Sequence, residues 1–146
     1  MHWFITYFYN YRFLKPNQVV FSTAMYPPKW FSEKGIIVDN NYVVRGLSCD
    51  DVVPRVHADC PCKVKKPSQC EFVKAYKEQL NSIDFDRFID TYEDTARRIT
   101  DVIGEHNPQI VLLVFEKPDN PCSERWALME WFEKHGQLLD ELEIEK

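Results

Sequence analysis

The sequence has no apolar run long enough to span a bilayer, so a membrane-spanning helix is not expected. It has no excess of positive charge either: the formal net charge is −5, which gives no global attraction to nucleic acid or to an anionic membrane. Nucleic acid is therefore an unlikely partner, and Lys63, Lys65 and Lys66 form only a short basic patch. Repeats and low-complexity segments are lacking. The opening MHWFITYFYNYRF lacks the basic start, uninterrupted apolar middle and small-residue cleavage site of a secretory signal, which leads to the expectation of a cytoplasmic chain. In that compartment five cysteines, an odd number, fit thiols or metal ligands better than a disulfide framework.

What is present is a globular composition with many rings. Hydrophobic residues make up 45%, charged residues 28% and aromatics 14% of 146 residues, enough for one domain with one sizeable core. The aromatics crowd the first 31 positions, and some are expected to line a ligand surface rather than the core.

The pattern along the chain predicts strands at Trp3–Tyr9 and Val19–Ala24, a short helical turn at Lys29-Trp30-Phe31, and a small hairpin of Ile36–Val38 with Tyr42–Val44. Ser68-Gln69-Cys70-Glu71 reads as a capping box opening a helix with Phe72, Val73, Tyr76 and Leu80 on one side. Asp84 caps the next helix, whose apolar stripe runs from Phe85 to Ile103 before Gly104 ends it. Ile110–Phe115 is continuously apolar and suits a central strand covered on both faces. A last helix is expected to open near Pro121 and to stop at Gly136, followed by an edge strand over 141–145. Strands at both ends with helices between them predict a single layered α/β domain, its sheet mixed or mostly parallel and flanked by helices, with a cysteine-bearing loop insertion at about 46–67.

In such sheets ligands lie beyond the carboxyl ends of the strands, which directs attention to Glu116–Arg125. A helix opening there would offer spare amides and the positive end of its dipole to a small anionic or nucleotide-type ligand. Arg125 would add a two-pronged contact, and Glu116 and Lys117 would orient the ligand. Asn10 and Arg12 after the first strand, and Lys29 and Trp30 after the second, would converge on the same place. The same dipole would favour a thiolate at Cys122, giving the alternative of a thiol-dependent enzyme with Cys122 as nucleophile, although no histidine lies nearby in sequence to serve it. A third alternative is an interaction module of phage or mobile-element origin whose exposed aromatics bind protein or nucleic acid.

The segment IVLLVFEKPDNPCSERWALMEWFEKHG resembles the closing signature of the domain-of-unknown-function family four-eight-eight: a strand ending near Glu-Lys-Pro, a turn with Cys and Arg, and a helix ending in His-Gly. ITYFYNYRF and VVFSTAMYPPKWF resemble the family's opening. The resemblance implies the α/β fold more than any activity. Val114 occupies the position of the family's strand cysteine, and Ser123-Glu124 lacks its histidine, so the resemblance implies no two-thiol redox or metal pair at this junction.

HADCPCKVKKPSQC is the second candidate. Thiolates suit zinc or, less readily, an iron–sulfur cluster, and Cys49, Cys60, Cys62 and Cys70 would make a closed four-sulfur site, with His57 as a substitute ligand. A bound metal would hold an otherwise aperiodic loop in order.

Overall fold

A computed structural model describes residues 1–33, 35–39, 42–56 and 63–144. Four strands form one sheet in the order β2-β5-β1-β6, where β1 is Trp3–Tyr7, β2 Gln18–Ser22, β5 Gln109–Val114 and β6 Leu139–Glu141. Every pairing in it is parallel. A separate antiparallel hairpin joins β3 (Gly35–Asp39) to β4 (Tyr42–Arg45). The helices are α1 (Lys29–Glu33), α2 (Glu71–Asn81), α3 (Phe85–Ile103) and α4 (Arg125–Lys134). No helix among the described residues is long and apolar enough to cross a membrane. The chain thus has the expected α/β class, with a parallel main sheet.

The apolar run at 110–114 becomes an interior strand because both its faces are covered, and all five residues are fully buried. One face carries Ile110, Leu112 and Val114 with Trp3, Ile5, Val19 and Phe21, and packs with side chains of α2, α3 and α4. Trp3 meets Phe88 and Phe132 there, and its indole N–H donates to Glu93 (2.8 Å), which satisfies the one polar atom that the ring takes inside. The opposite face is covered differently. Val20, Val111 and Leu113 pack against Phe8, Ala24 and Phe31, which come from short connecting segments.

Local chemistry explains most boundaries. The Asp84 carboxylate accepts from the Arg87 amide and caps α3, while Gly104 takes φ +76° at its other end, a left-handed conformation that suits glycine. Other boundaries differ from expectation. β1 stops at Tyr7, and Phe8–Phe13 winds into a 3-10 helix. At the start of α2 the cap is not Ser68: Pro67–Gln69 forms a 3-10 turn in which the Gln69 side-chain oxygen accepts from the Lys65 and Lys66 amides, and α2 begins only at Glu71. The closing strand is Leu139–Glu141, which meets the expected 141–145 only at Glu141, with Glu145 outside the described residues; it lies at the sheet edge, beside β1.

Candidate functional site

Helix α4 starts at Arg125, four residues later than Pro121, and this changes the junction. Ser123 closes its first turn: its hydroxyl oxygen accepts from the Arg125 amide (3.2 Å) and its carbonyl from the Trp126 amide (3.4 Å). Asn120 closes the preceding turn, accepting the Cys122 amide on its side chain (2.8 Å) and the Trp126 indole N–H on its carbonyl (2.7 Å). The amides of Cys122, Arg125 and Trp126, three of those near the junction that an anion would need, are thus engaged within the chain. Cys122 lies before the helix rather than in its first turn, and it is buried, so the dipole argument for a thiolate no longer applies to it.

Arg125 also corrects the expectation. It is 0% exposed; its guanidinium pairs with Glu141 of β6 and donates to the Glu116 carbonyl (2.8 Å). This cation ties the end of β5 to the closing strand and is not presented to a ligand. Burial pushes the Glu141 carboxyl up, and Arg125 pulls it part of the way back. Glu116 is half-buried and contributes its carbonyl to Arg125, while Lys117 is exposed.

Beside Arg125 lies a group that no sequence signal singled out. Glu124 is 5% exposed, and one carboxyl oxygen is 2.7 Å from the Thr23 hydroxyl, at the end of β2. Its other oxygen has no hydrogen-bond partner among the described residues. Burial pushes this carboxyl from 4.5 up to about 8; Thr23 opposes the shift, Glu116 adds to it and Arg125 opposes it. A neutral carboxyl matches a site that supplies so few donors.

The other predicted residues do come together. The 3-10 helix after β1, the segment after β2 and the residue after β5 meet beyond the carboxyl end of the sheet. There they line a hollow of about 610 Å³ whose walls include Tyr7, Tyr9, Tyr11, Arg12, Trp30 and Phe115, with Phe8 behind them. This is within the size range of small-molecule sites, roughly 300–1,000 Å³. Tyr9 is 51%, Trp30 39% and Phe115 48% exposed, although each is aromatic. Phe8 holds the set together, with its ring 4.9 Å from Phe115 and 6.3 Å from Trp30, centroid to centroid. Tyr11 meets Trp30 edge-on at 5.3 Å, and Tyr7 stacks on Tyr9 at 5.8 Å.

Arg12 provides the charge. Its guanidinium carbon lies 4.1 Å from the Tyr9 ring centre and 5.1 Å from that of Phe13, so two rings orient the fork. Arg12 is exposed and has no carboxylate partner among the described residues. Asn10 lies buried in the same helix: its amide donates to Thr6 (2.8 Å), which fixes the 3-10 turn to β1. Lys29 is at the entrance to α1, largely exposed, in a loose pair with Glu33 at 3.8 Å. Of the seven expected ligand contacts, Arg12 and Trp30 line the hollow, Asn10 supports it, and Lys29 is beside Trp30 in α1. Tyr7, Tyr9, Tyr11 and Phe115 were not singled out as ligand contacts. The only signal for them was the crowding of rings near strand ends.

The cysteine cluster is only partly in view. His57, Cys60 and Cys62 lie outside the described residues. Cys49 and Cys70 are fully buried in the helix-side core. Burial, with Asp51 and Asp50, pushes the Cys49 thiol well up, which favours the neutral form that packs as an apolar group. Among the described residues, no three His, Cys, Asp or Glu side chains are grouped to hold a metal.

No family model matches the chain, and neither a curated protein nor a solved structure does.

Proposed function

We propose that the protein binds a small ligand with a flat ring and an anionic group, of the nucleotide type, in the aromatic hollow at the carboxyl end of the sheet. One observation carries this reading: Arg12 is held on the face of Tyr9 at the wall of a hollow lined, among the described residues, mostly by aromatic rings. Rings stack on a flat ligand without regard to its exact identity. A guanidinium adds paired hydrogen bonds to a phosphate or carboxylate. This moves the anion site from Arg125 to Arg12, while keeping Trp30, with Asn10 behind the wall and Lys29 beside it.

Calorimetric titration with adenosine monophosphate, adenosine and inorganic phosphate tests the reading. The monophosphate is expected to bind more tightly than adenosine, and phosphate alone to bind weakly. Arg12→Ala should remove the advantage of the monophosphate and leave adenosine unchanged. Equal affinity for monophosphate and adenosine would refute a role for Arg12, and no heat with either would refute the site.

A structural metal on Cys49, Cys60, Cys62 and Cys70 is a separate proposal, supported by the placement of Cys49 and Cys70 in one core. Zinc and iron content of the purified chain tests it: one equivalent sustains it, and none ends it. Membership of family four-eight-eight is likewise proposed on the quoted motifs alone.

A further inference from the structure

A second hollow, of about 540 Å³, shares two wall residues with the first: Tyr11 and Arg12 line both. Beyond them it is bounded by Leu14, Val20 of β2 and Ile103 at the end of α3, with Lys15 at its side. Lys15 is exposed and, like Arg12, has no carboxylate partner among the described residues. Two largely apolar hollows are therefore separated by a wall that carries a fixed cation, with a second cation just past it. An anion at that wall, with an apolar or flat group on either side, matches the arrangement of charge.

From this we infer the class of ligand: a dinucleotide-like molecule, with one flat group among Tyr9, Trp30 and Phe115, a bridging phosphate at Arg12 and Lys15, and a second flat group against Leu14, Val20 and Ile103. The inference rests on the reading of the first hollow and extends it. A mononucleotide fills one hollow and meets Arg12; a dinucleotide fills both and places its single phosphodiester where the two cations lie. Among the described residues Tyr11 is the one aromatic ring that lines the second hollow, so the second group is held mainly by apolar contact, and its identity matters less.

The test compares adenosine monophosphate, adenylyl-3′,5′-adenosine and the adenosine trinucleotide by titration. The dinucleotide is expected to bind at least tenfold tighter than the monophosphate, and the trinucleotide no tighter than the dinucleotide. Ile103→Trp, which fills the second hollow, should cancel the gain and leave the monophosphate unaffected. Leu14→Trp serves the same purpose if the first variant fails to fold, as judged by its circular dichroism. Equal affinity for monophosphate and dinucleotide would overturn this inference and leave the first hollow standing. Further tenfold gains with length would overturn it in favour of a single-strand tract. Absence of binding by all three would overturn both readings together.

Discussion

Two arginines at the same end of the sheet meet opposite fates. Arg125 is wholly buried, pairs with Glu141 and braces the end of β5. Arg12 is exposed, is paired with no carboxylate among the described residues, and rests on Tyr9 and Phe13. A charge taken out of water must be matched, and once matched it does structural work. A charge left at the surface but fixed by rings keeps its hydrogen-bonding capacity for a ligand. The difference separates a scaffold from the proposed site within one short stretch of space.

The largest expected effect comes from breaking the scaffold. Arg125→Ala should lower unfolding stability by about 3–5 kcal/mol, because the partly buried Glu141 carboxylate loses its partner. Urea unfolding measures this, and titration of the folded variant with adenosine monophosphate should give wild-type affinity. Little loss of stability with lost binding would reverse the assignment of the two arginines.

A second test uses pH. The Glu124 carboxyl is raised from 4.5 to about 8 in the folded protein, so between those values the folded state holds a proton that the unfolded chain has released. The stability from this neutral carboxyl is complete below pH 4.5 and is lost as pH rises towards 8. A fall of about 3–4 kcal/mol from pH 5 to pH 8 is expected. Glu141 acts in the same direction, so the difference between wild type and Glu124→Gln isolates Glu124. Unfolding curves at several pH values check it: the variant should lose less stability than wild type over this range. Parallel curves would mean that Glu124 is ionised when folded.

Breaking the site should have a smaller effect on stability and a clear one on binding. Trp30→Ala removes a ring that is 39% exposed. Stacking of this kind contributes about 1–3 kcal/mol per base. Affinity for adenosine monophosphate should fall by roughly 5–150-fold by that measure. The thermal midpoint should move little. Loss of both together would place Trp30 in the scaffold with Arg125.

The sequence made the scaffold legible wherever the decisive contacts are local. Asp84 and Gly104 bound α3 through their own backbone neighbours, and the apolar run of β5 announces an interior strand. It failed where the partner is distant. Nothing near Arg125 indicates Glu141, and nothing in ITYFYNYRF shows that the chain coils after Tyr7 while the aromatic run continues. Ser123 displaced the expected start of α4 because its hydroxyl and carbonyl both take up amides of the first turn. For the proposed site, the rule that strand ends converge brought Arg12 and Trp30 to one hollow. It could not separate them from Arg125, because that separation depends on burial.

The last expected effect concerns Cys122, and it sharpens the same distinction. An activated thiol needs access and a charge that favours the thiolate. Cys122 is buried, lies outside α4, and its neighbouring Arg125 is already paired with Glu141. It belongs with the scaffold. Iodoacetamide at neutral pH, with modified positions mapped by mass spectrometry, should label Cys122 about a hundredfold more slowly in the native protein than in urea, as expected when labelling waits on a local opening of roughly 3 kcal/mol. Cys49, fully buried in the helix-side core, should be slower still. Labelling of Cys122 faster than an unfolded thiol would show that the turn at 118–124 opens readily, and would return the junction to consideration as a reactive site.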